Sequence, residues 1–142
     1  MSGLQVMEIT PKQRHLVRRS FGQLATQQDE VARLFYDKLF ELAPETRSMF
    51  KDMRAQRHQL MRYLALLVVS LDNPNSFLDL AQDLGKRHAR YGVRKEHYVV
   101  FGKALLWAFE QSLGTAFTPK IKQAWVVVYN HIARYAIDAA TI

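Results

Sequence analysis

Phe77-Leu78-Asp79-Leu80-Ala81-Gln82-Asp83-Leu84-Gly85-Lys86-Arg87-His88-Ala89-Arg90-Tyr91-Gly92-Val93 reads as one amphipathic helix and its stop. Phe77, Leu80, Leu84 and His88 recur at intervals of three and four, so they share a helix face that is apolar until its last member. That turns the His88 imidazole toward the interior. Gly92 suits the position just past a helix end, where a left-handed backbone is common.

The same period continues on both sides. Downstream, a helix from about Arg94 to Leu113 places Tyr98, Phe101, Leu105, Ala108 and Phe109 on one face. Thr118-Pro119 then opens a last helix with Ile121, Trp125, Val128 and Ile132 as its stripe. Upstream, Leu60, Leu64, Leu67 and Leu71 form a stripe that Asn73-Pro74-Asn75-Ser76 breaks. Pro44 to Phe50 reads as a short helical turn and a corner. A helix starting near Asp29 carries Val31, Leu34, Phe35 and Leu39, and must end before Pro44, since proline disfavours helix in the residue ahead of it. Thr10-Pro11-Lys12-Gln13 has the form of a capping box with proline at the first helical position, ahead of Leu16, Val17, Phe21 and Leu24. Val126-Val127-Val128 and Val99-Val100 are β-branched but lie inside helical patterns. The expected class is all-α, with about six substantial helices plus a short one.

The 142 residues fit a single domain, 1–142, with no repeat, linker or low-complexity tract. A hydrophobic share of 49% supplies a packed core. The absence of cysteine excludes disulfides, thiolate metal sites and iron–sulfur clusters, and fits a reducing cytoplasm. The opening residues Met1 to Glu8 lack the basic start and apolar run of a signal peptide. The most apolar stretch, Leu64 to Leu71, is too short to span a bilayer. The net charge of +7 is compatible with nucleic acid, acidic lipid, an anionic cofactor or an acidic redox partner, and selects none of them.

The histidines are His15, His58, His88, His97 and His131. No two lie three or four apart, and none follows a glutamate by three, so helical zinc and di-iron carboxylate patterns are missing. No serine sits in a glycine-flanked elbow, and there is no glycine-rich phosphate loop. For His88 two readings stay open. It is either a core histidine bonded to a nearby carbonyl, or the one axial ligand that haem needs, since the porphyrin supplies four nitrogens itself.

Further residues match a family. Leu34-Phe35-Tyr36-Asp37-Lys38-Leu39-Phe40, Ala43-Pro44-Glu45 and Met49-Phe50 resemble the second and third helices of bacterial globins. Leu84 to Val93 followed by His97-Tyr98 resembles their proximal segment. Gly114 to Pro119 and Ala124-Trp125 through Tyr129 resemble the opening of their last helix. The resemblance is to single-domain globins of the flavohaemoglobin lineage, thermoglobin-like forms included, and covers nearly the whole chain. It implies a globin fold packed around a haem b pocket.

Carried over residue by residue, the resemblance makes His88 the proximal iron ligand and Phe50 the aromatic packed against the haem. It places Tyr36 in the distal pocket, with Gln56 and Leu60 on the following helix. It sets Tyr98 beside the proximal histidine. Gln56 and Leu60, four apart, do share a helix face. Bound dioxygen carries partial negative charge, which the Tyr36 hydroxyl and Gln56 amide can stabilise, while Leu60 and Phe50 limit water. Arg87 is the first expected partner of an anionic propionate, Arg57 the second; Arg18-Arg19 and Lys120-Ile121-Lys122 read as solvated faces.

The implied function is reversible binding of dioxygen and nitric oxide, with carbon monoxide as a further gas. Nitric oxide dioxygenation to nitrate would need an external reductase, because flavohaemoglobins continue into a flavin and nicotinamide reductase, whereas this sequence stops at Ile142. The position matching their proximal glutamate reads Ala140, and losing a carboxylate behind the ligand lowers its basicity, which counts against efficient dioxygenation. Two alternatives are a gas-sensor input domain and a helix-turn-helix DNA-binding module. The latter would use the basic run Lys86 to Lys95, with Gly92 as its turn.

Overall fold

The computed structural model describes residues 8–140; the opening segment Met1 to Met7, where no signal pattern was read, lies outside the described residues. Six α-helices follow one another: α1 (Pro11–Ala25), α2 (Gln28–Leu42), α3 (Met53–Val69), α4 (Pro74–Arg90), α5 (His97–Leu113) and α6 (Pro119–Ala140). The expected short element is a 3₁₀ helix at Pro44–Met49, and single turns occupy Ser70–Asp72 and Gly114–Ala116. Among the described residues there is no strand, and no helix is long and apolar enough to cross a membrane.

The capping chemistry sets most boundaries. Thr10 and Gln13 bond reciprocally at the start of α1, side chain to backbone N–H, at 3.1 and 3.0 Å. The Thr118 hydroxyl accepts the Ile121 N–H at 3.3 Å at the start of α6. Asn73 does more than interrupt: its side chain accepts the Ser76 N–H at 3.2 Å, so the break after α3 is also the N-cap of α4. Gly92 has φ of +93°, the left-handed conformation that its helix-stop role requires. One boundary differs from expectation. The helix expected from Arg94 begins at His97, because the His97 ring Nδ1 accepts the Arg94 N–H at 2.9 Å and holds 94–96 as a turn.

α4 packs most extensively on α6, and α2 on α5, while α3 makes few contacts with α4. The core runs between these pairs, with Val17, Leu24, Leu39, Phe109 and Trp125 almost completely buried. The Trp125 indole N–H donates to the buried Ser20 hydroxyl at 2.8 Å, which in turn donates to the Leu16 carbonyl at 2.8 Å. Ser20→Ala therefore strands a buried donor, and is expected to lower unfolding free energy by about 1–3 kcal/mol in urea titrations with an unchanged slope.

Phe77, Ala81 and Gly85 are the fully buried residues of α4, while Leu80, Leu84 and His88 are only half-buried. The first set faces α6. Leu84 and His88 of the second border the gap left between α3 and α4.

Candidate functional site

That gap is a pocket whose space, open mouth included, amounts to about 1070 Å³. Seven residues singled out in the sequence line it: Tyr36 from α2, Phe50 from the corner, Gln56 and Leu60 from α3, Arg87 and His88 from α4, and Tyr98 from α5. Arg57, the second propionate candidate, is not among the lining residues. The walls are otherwise mainly Phe and Leu, and no Asp or Glu lines the pocket.

His88 Nδ1 lies 2.9 Å from the carbonyl oxygen of Leu84, one turn earlier on α4. A carbonyl can only accept, so Nδ1 carries the proton and Nε2 keeps its lone pair. Burial lowers the pKa of His88, and the bond to Leu84 opposes that only in part, so the ring stays neutral. The carbonyl bond is the one the core-histidine reading expects, and it leaves the second ring nitrogen free, so it is compatible with the ligand reading too.

Tyr98 and Phe101 flank the imidazole, with ring centroids 6.3 and 6.1 Å away. The Tyr98 hydroxyl is buried without a partner, and burial pushes its pKa up to about 12. Ala140, where a carboxylate was noted as missing, is an exposed residue at the end of α6. Tyr129 of α6 donates its hydroxyl to the Tyr98 carbonyl at 2.6 Å and so fixes this part of α5 against α6.

On the α3 side, Tyr36 sits edge-on to Phe35 and Phe50, with centroids at 4.8 and 5.5 Å. Its hydroxyl donates to the backbone carbonyl of Gln56 at 3.4 Å, a long bond that a better acceptor could displace. Burial pushes the Tyr36 pKa upward, so the hydroxyl remains a donor near neutral pH.

Arg87 lies under Tyr63, its guanidinium 4.7 Å from the ring centroid. Its Nε is 3.2 Å from an Asp83 carboxylate oxygen but off the line of a hydrogen bond, so the pair is an electrostatic contact with unused donor capacity. Tyr63 and Tyr129 are lining residues that the sequence reading did not single out for the site. Tyr63 was detectable, since it follows Gln56 and Leu60 on the same face of α3. Tyr129, four after Trp125 and three before Ile132, was likewise on a legible helix face, but nothing in the spacing tied that face to the site.

The residues present suit haem. A largely apolar pocket offers a neutral imidazole with a free nitrogen, one cation, Arg87, and, among the described residues, a wall without acids that does not repel an anionic group. An all-α fold with one imidazole facing a cleft between two helices is the architecture of a globin. The chain belongs to the globin family, whose profile matches residues 33–136.

A flavohemoprotein of Bordetella pertussis is 30% identical over 129 residues, covering 88% of this chain and 32% of that protein. This chain thus spans about a third of the length of that relative. Among solved structures, an engineered carbene transferase built on a candidate nitric oxide dioxygenase of Rhodothermus marinus shares 30% identity. Its TM-score is 0.86, with 94% of each chain covered. A bacterial globin of Campylobacter jejuni superposes with a TM-score of 0.82 at 24% identity, covering 93% of this chain and 96% of that one, a likeness of fold alone.

The DNA-binding alternative fails on burial. In a helix-turn-helix reading the helix after Gly92 would enter a groove, yet Tyr98, Phe101, Leu105, Ala108 and Phe109 bury that helix in the core.

Proposed function

We propose that the chain is one globin domain that binds haem b through His88 and reversibly binds dioxygen and nitric oxide. In this reading it turns nitric oxide over to nitrate only when an external reductase supplies electrons. The observation that carries the reading is the neutral His88 ring, held by Leu84 with Nε2 free against an apolar pocket. Haem, when bound, would supply an iron able to take up a diatomic gas, with His88 as the residue that would hold it.

The protein's own groups do the rest. The Leu84 carbonyl holds the tautomer and ring orientation of His88. Leu60 and Phe50 keep water from the pocket, and Arg87 directs its free donors at a propionate. The Tyr36 hydroxyl, released from its long bond to Gln56, donates to the negative end of a bound gas, with the Gln56 amide as second donor. With a carbonyl rather than a carboxylate behind His88, the proximal side favours holding oxygen over driving oxidation.

The test is an absorption spectrum of purified protein, reduced and then exposed to oxygen, nitric oxide and carbon monoxide. Protein that stays without a haem band after hemin is supplied sinks the reading. Tyr36→Phe is then expected to speed oxygen dissociation by about 10–100-fold, as a hydrogen bond to a charged acceptor is worth about 1.5–3 kcal/mol. An unchanged off-rate in stopped-flow displacement would mean that Tyr36 does not donate.

A further inference from the structure

The net charge of +7 is not spread over the molecule. Residues 51–63 and 86–96, which contribute α3 and α4 residues to the pocket walls, hold nine Lys or Arg and two Asp or Glu. The other residues hold eleven of each sign, so these two segments account for the whole excess.

The side chains also differ in how they are used. Away from the pocket, basic residues are commonly paired: Arg14 and Arg18 with Asp72, Arg33 with Glu30 and Asp37, Lys122 with Glu110. In the two basic segments, Arg54, Arg62, Lys86, Arg90 and Lys95 are exposed and have no acidic partner among the described residues. Helical spacing aligns them. Arg54, His58, Arg62 and Leu66 follow at intervals of four along α3, and Lys86 and Arg90 do so on α4.

A depression lined by Gln59, Arg62, Tyr63, Leu66, Asp83 and Arg87 joins the two helices and shares Gln59, Tyr63 and Arg87 with the main pocket. Apolar surface lies within this face: Tyr91, which lines the pocket, is 50% exposed, and Leu66 is 42% exposed. An apolar centre with a charged rim is the anatomy of a protein–protein interface, whereas uncompensated charge of one sign speeds encounter with the opposite sign.

We infer that this face, framing the pocket mouth, docks an acidic one-electron donor protein of the flavodoxin type. The inference rests on the haem reading above. The transfer is simple to balance: one electron leaves the donor's fully reduced flavin, which becomes the flavin radical, and the haem iron passes from ferric to ferrous. The position suits that role, because the face includes Tyr63, Arg87 and Tyr91, which line the pocket that would hold the cofactor.

The experiment titrates the haem-loaded protein with oxidised flavodoxin by calorimetry, then mixes ferric protein with reduced flavodoxin in stopped-flow. Association and reduction rate should both fall at least about tenfold between about 10 mM and about 200 mM salt, as the screening length shrinks from about 30 Å to below about 10 Å. Arg54→Glu, Arg62→Glu and Arg90→Glu together should cost as much at low salt, while dithionite reduces that variant at the parent rate. Lys120→Glu with Lys122→Glu, on the balanced part of the surface, should leave association within about twofold.

A haem-loaded protein that fails to associate, or whose association survives the triple reversal, overturns the inference alone. Tighter low-salt binding to duplex DNA or to phosphatidylserine vesicles than to flavodoxin overturns it as well. Protein that never shows a haem band overturns the reading beneath it.

Discussion

His88→Ala is expected to yield a folded protein that no longer retains haem through gel filtration and shows no ferrous gas spectra. The magnitude follows from the donor set. Among the described residues His88 is the one histidine lining the pocket, and no cysteine, methionine or acidic side chain is there to replace it. Loss of a ligand's outer partner alone costs about 10–100-fold in metal affinity, and loss of the ligand costs more.

The fold should survive, because His88 is half-buried and its bond is to a carbonyl of its own helix. Far-UV circular dichroism of the haem-free variant should therefore match the haem-free parent. Added imidazole, which restores a nitrogen donor into the space left by the ring, should restore the haem band. Undiminished haem retention without imidazole would mean that another group holds the iron, and would remove the basis of the functional reading.

The elements legible in sequence were those with a local chemical cause. Thr10 and Gln13 close α1 as their spacing implied, and Gly92 adopts the positive φ that a helix stop needs. The stripe through Trp125, Val128 and Ile132 is buried because a period of 3.6 residues determines which side a chain can bury. The start of α5 was misplaced by three residues because a histidine ring supplied the acceptor there, a role usually taken by Ser, Thr, Asn or Asp.

The site was legible only in part. Helical spacing placed His88 inward, but what bonds its Nδ1 depends on the tautomer and on Leu84 one turn back. Tyr36 and Tyr98 look alike in sequence, as aromatic residues on buried faces. Only the fold distinguishes a hydroxyl loosely bonded to Gln56 from one left without a partner. Arg57 and Arg87 are equally basic in sequence, and only the second reaches the wall of the pocket.

Gly85→Ala is expected to be the most destabilising single-methyl change in the α4–α6 interface, and also to weaken haem retention. A Cβ at Gly85 would lie 2.0 Å from the Ala136 carbonyl oxygen and 2.5 Å from the Ala136 Cα. Both are backbone atoms of a buried helix, so no side chain can turn aside to admit the methyl. The usual gain of about 1 kcal/mol for alanine over glycine inside a helix is overwhelmed. Overpacking ordinarily costs about 1–3 kcal/mol, and here α4 must move off the helix it packs against most, so the cost should reach or exceed the upper figure.

Because Gly85 is three residues before His88, the same displacement shifts the ligand relative to Tyr98 and Phe101. Denaturant titration of the haem-free protein measures the first effect, and transfer of haem to a competing apoprotein measures the second. The contrast with Gly22 isolates the cause, since a Cβ there meets nothing within 4 Å. Gly22→Ala should leave haem transfer unchanged and raise stability by about 0.5–1 kcal/mol. If Gly85→Ala behaved like Gly22→Ala, α4 would not be held against α6 at backbone contact, and the placement of His88 by that contact would have to be abandoned.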